Sequence, residues 1–158
     1  MRISLDVDDT LVCHFPGARH EPQPLLIRWF AAEPLRRGTR ELITELRRRG
    51  CEIWIYTSSL RTTLHIRLWL LLHGIRVDGI VNEERHRQEL LRRRFPHSSS
   101  KYPPAFGIDL HVDDSPGVLM EGKKHDFRVL MVATTDLQWT QKILDVVEQL
   151  LTQAAPER

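Results

Sequence analysis

Three carboxylates lie close together near the amino terminus, where Asp6, Asp8 and Asp9 follow an apolar run that begins at Ile3. A run rich in β-branched and aliphatic side chains predicts a short buried strand. Because unpaired charge is costly inside a core, the acids are expected at the carboxyl end of that strand. In an extended segment Asp6 and Asp8 project to the same side, roughly 6.5 Å apart, and repel each other unless a cation or a shared proton intervenes. The alternative is a solvated, Asp-rich turn.

Polar residues also follow two later apolar runs. Thr57 comes directly after the run Cys51–Tyr56, and Asp113 and Asp114 come after the run Phe106–Val112. Both runs are typical of short strands. Because the carboxyl ends of parallel strands share one edge of a sheet, we expect these side chains to converge with the first acids.

A site of this composition suits phosphoryl transfer. Asp6 can attack phosphorus and form an aspartyl-phosphate intermediate. Asp8 can protonate the leaving oxygen and then activate the hydrolytic water. Asp6, Asp113 and the backbone carbonyl of Asp8 offer the hard oxygen ligands that Mg²⁺ prefers. Asp114 can bind the ion through water or orient its ligands, and the ion offsets the repulsion between the acids.

Groups that could hold a phosphate are present as well. Thr57 and the backbone N–H groups after it, beginning at Ser58, lie on a predicted strand-to-helix turn with free donors. Lys101 offers a positive charge to both the phosphate and the nucleophile. Arg61 suits phosphate geometry and can reach the substrate, or it is a plain surface arginine. His111, two residues before the second acid pair, is expected to be a hydrogen-bonded structural residue, with a proton shuttle as the alternative.

Four stretches resemble, in order, the motifs of the haloacid dehalogenase superfamily. Asp6–Val12 is similar to the first motif, Thr57 to the second, Lys101 to the third and Asp113–Asp114 to the fourth. The resemblance spans Ile3 to Asp114 in the order and spacing of the family. It implies a Rossmann-like core and Mg²⁺-dependent phosphoryl transfer through a phosphorylated aspartate.

The resemblance also indicates a branch of the superfamily. Its dehalogenases lack the second acid, so Asp8 indicates a phosphatase. Three segments are loosely similar to the phosphatases that act on polymerase tails, namely Arg37–Thr39, Thr57–Ser59 and Val112–Pro116. The two points where the family inserts cap domains hold only Cys13–Gly38 and Asn82–Ser100, too few residues for a sizeable cap. An open, capless site then accepts a large substrate or is shielded by another subunit of a homo-oligomer.

Apolar runs and helical patterns alternate along the whole chain, which favours a parallel sheet covered by helices. We predict an α/β, Rossmann-like sheet of about five strands with helices on both faces, in a single domain over residues 1–158. Prolines mark a loop from Cys13 to Gly38 that carries at most one short helix, around Leu25 to Ala32. The other predicted helices cover Thr39–Arg49 with Thr39 as N-cap, Arg61–His73, Glu83–Phe95, part of Ser115–His125, and a last one capped by Thr135 and Gln138. The remaining predicted strands are Gly79–Asn82 and Phe127–Val132.

Composition bounds the class of protein. The 158 residues carry a net charge of +2, with 28% charged residues, as in ordinary soluble domains. Two cysteines make neither a disulfide framework nor a zinc site, and no signal-like or membrane-spanning run is evident. These features predict a cytoplasmic protein. The triplets Arg47–Arg49 and Arg92–Arg94 could touch nucleic acid, although such runs are more often solvated helix faces.

Three functions therefore compete. The first is a Mg²⁺-dependent phosphatase with Asp6 as nucleophile and a phosphorylated substrate of unknown size. The second is a nucleic-acid end phosphatase that uses the arginine triplets. The third is a regulatory protein that binds Mg²⁺ and phosphate but turns over nothing, since fold alone does not establish activity.

Overall fold

The computed structural model of the chain describes residues 1–23, 33–94 and 99–154. Its strands are β1 (Arg2–Leu5), β2 (Glu52–Tyr56), β3 (Gly79–Val81), β4 (Leu110–Asp113) and β5 (Val129–Met131). Its helices are α1 (Thr39–Arg48), α2 (Thr63–Leu72), α3 (Glu83–Arg93), α4 (Pro116–His125) and α5 (Trp139–Ala154), with a 3₁₀ turn at Pro103–Phe106. The five strands form one sheet in the order β3-β2-β1-β4-β5, and every neighbouring pair is parallel. The predicted α/β fold is confirmed.

The two faces of the sheet differ in chemistry because side chains alternate along each strand. On one face Ile3 and Leu5 of β1 lie level with Ile53 and Ile55 of β2, and all four are fully buried. Helices α1, α2 and α5 contribute further apolar residues to this core, and α1 packs on both β2 and α5. The opposite face of the central strands carries polar and aromatic side chains, including Ser4, Trp54, Tyr56 and His111.

The strand order fixes where a site can form. From β1 the chain moves outward to β2 and β3, and then returns across the sheet to place β4 on the other side of β1. This reversal makes the carboxyl ends of β1 and β4 the point where the strand order switches direction, which is the usual ligand position in open α/β sheets. Leu5 pairs with Val112, so the residues that follow them, Asp6 and Asp113, lie side by side at the carboxyl ends of β1 and β4.

Several predicted boundaries differ from the structure, and three of the differences have a local physical cause. The fourth strand begins at Leu110 rather than Phe106, because the prolines of the segment Pro103–Phe106 favour a 3₁₀ turn. The N-cap of α1 is Gly38, in a left-handed conformation, and Thr39 is the first helical residue. The last helix begins at Trp139, beyond the capping box expected at Thr135. An Asp136 carboxylate accepts a hydrogen bond from the Gln138 N–H at 2.8 Å and delays the helix.

No cap stands over the carboxyl edge in the described part of the chain. Residues 13–23 and 33–38 contain no helix or strand longer than a single bridge. The short helix expected around Leu25 to Ala32 lies outside the described residues. None of the described helices is long and apolar enough to cross a bilayer.

Gly79 begins β3 where the indole of Trp54 covers the backbone. A Cβ at this position would lie 2.3 Å from the Trp54 ring. We therefore expect Gly79→Ala to lower the free energy of unfolding by about 1–3 kcal/mol through overpacking. Urea denaturation measures this loss, and it should shrink when Trp54 is also changed to alanine. An equal loss in both backgrounds would contradict the clash.

Candidate functional site

Three acids converge at the carboxyl edge between β1 and β4. One carboxylate oxygen from each of Asp6, Asp113 and Asp114 lies within 4.8 Å of the others. The Asp6 N–H donates to the Val112 carbonyl at 2.9 Å, which continues the β1–β4 pairing by one residue. Asp6 is 5% exposed and Asp113 only 1%. The convergence predicted for these acids is therefore present.

Lys101 joins two of the acids. Its Nζ donates to Oδ1 of Asp6 at 2.6 Å and to Oδ2 of Asp113 at 2.5 Å, and the residue is 3% exposed. The backbone around it is held by two acceptors: Glu121 accepts from the Lys101 N–H, and the Tyr56 hydroxyl accepts from the next N–H at 2.7 Å. Lys101 therefore reaches the acids from the polar face of the sheet.

A buried histidine and a buried serine form a hydrogen-bonded chain that ends at Asp113. Nε2 of His111 lies 2.9 Å from Oδ2 of Asp113, and Nδ1 lies 2.8 Å from the Ser4 hydroxyl. Burial lowers the pKa of His111. With the proton of the neutral ring on Nε2, His111 donates to Asp113 and accepts from Ser4. The hydrogen bonding predicted for His111 is therefore present.

Burial and neighbouring charges shift the acids in opposite directions. Burial raises the pKa of Asp6 to about 7, although the Lys101 charge opposes the shift. Burial also disfavours ionised Asp113, but the His111 hydrogen bond and the Lys101 charge outweigh it and hold its pKa well below the usual range. The pKa of Asp114 is raised by its own burial and by the charge of Asp113. Fully ionised, three carboxylates and one ammonium leave an excess of two negative charges.

The raised pKa of Asp6 predicts a pH effect on stability. The folded metal-free protein retains the Asp6 proton up to about pH 7, whereas the unfolded chain loses it near 3.8. The folded state therefore binds more protons between these values, and this contribution to stability is lost as the pH rises. Relative to Asp6→Asn, the wild type should lose up to about 1.4 kcal/mol per pH unit in this window. Urea denaturation in EDTA at several pH values measures it, and parallel curves for the two proteins would contradict it.

The predicted phosphate turn follows β2. Thr57 is buried, and its Oγ1 accepts from the Ser59 N–H at 3.1 Å, which closes a tight turn. Ser58, between them, is exposed. Leu5 of β1 pairs with Ile55, so Thr57 leaves the end of β2 beside the segment that carries Asp6. The turn therefore opens at the same edge as the acids.

The carboxylate of Asp8 lies outside the cluster formed by Asp6, Asp113 and Asp114. The chain turns after Asp6, where the Leu11 and Val12 N–H groups both donate to the Val7 carbonyl at 2.9 Å. The extended geometry assumed for Asp6 and Asp8 therefore does not hold. Both carboxylate oxygens of Asp8 instead accept from Nη1 of Arg61 at 2.9 Å.

Arg61 also forms an ion pair with Glu33, a residue that the sequence did not indicate. Its Nη2 donates to Glu33 at 2.9 Å, and its Nη1 also reaches the Ser59 hydroxyl at 3.0 Å. Arg61 thus links Asp8, the turn after β2 and the segment before α1. Its ability to touch substrate stays a prediction. No spacing or pattern in the sequence marks Glu33, because the contact depends on two long side chains.

Arg36 is a further buried residue that no pattern indicated. Its Nη1 donates to the Thr10 carbonyl at 3.3 Å, and its Nη2 lies within 3.0 Å of the carbonyl oxygens of Ala133, Thr134 and Asp136. The guanidinium also stacks over Trp139 at 4.5 Å. It ties the loop after β1 to the loop after β5.

The arginine triplets are largely paired with acids. Arg48 and Arg49 both contact Glu45, and Arg92 and Arg93 both contact Glu89. These contacts are typical of solvated helix faces. A nucleic-acid partner for the triplets stays a prediction.

Neither a scan against protein-family models nor a search of curated proteins found a match for this chain. Its function is therefore inferred from the chemistry of the site.

Proposed function

We propose that the chain is a Mg²⁺-dependent phosphomonoester hydrolase, similar to haloacid dehalogenase-like phosphatases, that acts through an aspartyl-phosphate at Asp6. The observation that carries the proposal is the buried pair of acids, Asp6 and Asp113, bridged by the ammonium of Lys101. Burying these charges is costly, and the hydrophobic core does not require them. They lie at the carboxyl ends of β1 and β4, where the strand order reverses and where open α/β sheets usually bind ligands.

The donor set suits a hard divalent cation. Asp6, Asp113 and Asp114 would hold Mg²⁺, because their oxygens lie close together and carry two more negative charges than Lys101 neutralises. The backbone carbonyl of Asp8 stays a predicted further ligand. When bound, Mg²⁺ would withdraw charge from the phosphoryl oxygens and keep the acids ionised.

The first half-reaction consumes the ester. The ionised carboxylate of Asp6 attacks phosphorus, an O–P bond to Asp6 forms, and the bond to the leaving oxygen breaks. Lys101 holds Asp6 in position and offsets the charge of the approaching phosphate. Asp8 gives a proton to the leaving alcohol, which requires that Asp8 be released from Arg61. A substrate phosphate provides the competing anion for that guanidinium.

The second half-reaction regenerates the carboxylate. Asp8 accepts a proton from a water molecule, which attacks the phosphorus of phosphorylated Asp6. The O–P bond to Asp6 breaks and inorganic phosphate leaves. Thr57 and the N–H groups that follow it would bind the phosphoryl oxygens in both steps. His111 acts through Asp113, whose charge and orientation it fixes.

The assay that tests the proposal measures phosphate release from an aryl phosphate by metal-stripped protein. We expect no turnover in EDTA and recovery on addition of Mg²⁺, because the acids repel the substrate without the cation. Turnover that is unaffected by EDTA would contradict the role of the metal. Mg²⁺ binding without hydrolysis of any phosphometabolite, phosphopeptide or oligonucleotide would instead favour the non-catalytic alternative.

A further inference from the structure

A groove of about 860 Å³ lies between α1 and α2, away from the acid site. One wall is the α1 stripe Arg40, Ile43, Thr44 and Arg47, whose spacing places all four residues on one side of the helix. Residues 74–78, which enter β3 at the amino edge of the sheet, close the other end. The acids occupy the carboxyl edge, so the groove and the acid site are separate.

The residues that line this groove include four arginines and, among the described residues, only one acid. The arginines are Arg40, Arg47, Arg67 and Arg76, and the acid is Asp78. Asp78 is already engaged, because it accepts from Arg47 at 3.0 Å and from the Ile53 N–H at 2.7 Å. No acid in the described residues pairs with the guanidinium groups of Arg40, Arg67 or Arg76. The groove therefore presents uncompensated positive charge.

Two buried polar atoms of this groove have no hydrogen-bond partner in the described residues. They are Nε of Arg40 and Nδ1 of His73, and His73 is fully buried. Nε2 of His73 lies 3.3 Å from the Glu33 carbonyl, which requires the ring proton on Nε2. Nδ1 of the neutral ring is then an acceptor that needs a donor. A buried polar atom left unpaired is costly, so these two atoms point to a ligand group.

The apolar residues of the groove complement its charges. Ile43, Leu71, Ile75 and Val77 line it beside the arginines. Charged donors, an apolar surface and one acceptor together fit a ligand with an anionic group and a hydroxylated carbon skeleton. Inorganic phosphate would satisfy the arginines but would supply no carbon skeleton.

We propose that the groove between α1 and α2 is a binding site for a small phosphorylated polyol, a sugar phosphate or a nucleoside phosphate. Arginine side chains such as Arg76 bind the phosphate, since the guanidinium fork matches its oxygens. A ligand hydroxyl donates to Nδ1 of His73, and the carbon skeleton packs on the apolar residues. This site is independent of the phosphatase proposed above.

Calorimetric titration in EDTA tests the proposal. Because EDTA removes Mg²⁺, the result does not depend on whether the proposed phosphatase reaction is correct. Ribose 5-phosphate, AMP and inorganic phosphate are the three probes. We expect ribose 5-phosphate or AMP to bind more tightly than inorganic phosphate. Binding of both organic probes indicates the shared sugar phosphate, and binding of AMP alone indicates a nucleoside phosphate.

Two variants that each replace an arginine by glutamate show where the probes bind. Arg76 is exposed and makes no side-chain hydrogen bond to the described residues, so Arg76→Glu should fold and should weaken binding at least about tenfold. Arg128 is exposed just before β5, on another part of the molecule, so Arg128→Glu should leave the affinity unchanged. A third variant, His73→Phe, should remove the preference for the organic probes over inorganic phosphate. The proposal is overturned if no probe binds saturably, or if the two arginine variants weaken binding equally.

Discussion

Asp6→Asn is expected to lower the Mg²⁺-dependent rate of phosphate release by at least about 10³-fold, because an amide cannot attack phosphorus as a carboxylate does. The substitution keeps the shape of the side chain, and it removes a buried carboxylate whose pKa is already raised to about 7. The folded state should therefore persist. Steady-state assays at saturating Mg²⁺, together with the circular dichroism spectrum and thermal midpoint, separate loss of chemistry from loss of fold.

Asp9→Asn is the matched control for this variant. Asp9 is exposed, has a φ of 57° that asparagine tolerates well, and has no role in the proposed reaction. Its rate should stay within about twofold of the wild-type rate, since the same chemical change occurs three residues from the nucleophile. Intact Mg²⁺-dependent turnover in Asp6→Asn would exclude an aspartyl-phosphate at this residue.

Lys101→Met is expected to reduce both activity and stability. The Nζ of Lys101 bridges two carboxylates that are almost fully buried, and methionine fills a similar volume without a charge. Breaking a buried ion pair by removing one partner typically costs about 3–5 kcal/mol. Phosphate release should fall at least about 10²-fold, because the nucleophile loses its neighbouring positive charge.

Urea denaturation and the phosphatase assay measure the two effects. In EDTA the stability loss should be greater at pH 8 than at pH 5, since protonation of Asp6 relieves the uncompensated charge at low pH. The double variant Lys101→Met with Asp6→Asn should recover part of the lost stability, and none of the activity. A Lys101→Met protein as stable and active as the wild type would refute the bridging role.

Much of the fold could be predicted because the signals are local. Alternating strands and helices, Gly50 and Gly74 after two helices, and acids directly after apolar runs all act within a few residues. Convergence of the acids then follows from parallel pairing alone. The partners of Lys101 could be expected only from its resemblance to a family motif, since no periodicity places residue 101 at the edge of a sheet.

The remaining contacts depend on tertiary geometry. Asp8 reaches Arg61 because the chain turns at Val7, and a strand pattern does not reveal where a strand bends. Ser4 and His111 meet because β1 and β4 are neighbours in a register that only the folded sheet defines. The capping box predicted at Thr135 does not form, because the Asp136 carboxylate accepts the hydrogen bond of the Gln138 N–H instead.

The neighbouring positions of β1 and β4 have a consequence for how the chain is made. Ser4 meets His111 107 positions later, and Lys101 reaches back 95 positions to Asp6. A nascent chain released as far as β3 can pair one side of β1, but its other side stays open until β4 emerges from the ribosome. Asp6 and Asp113 therefore come together only when β4 docks, so any ligand that needs both carboxylates would stabilise only chains in which β4 is already in place.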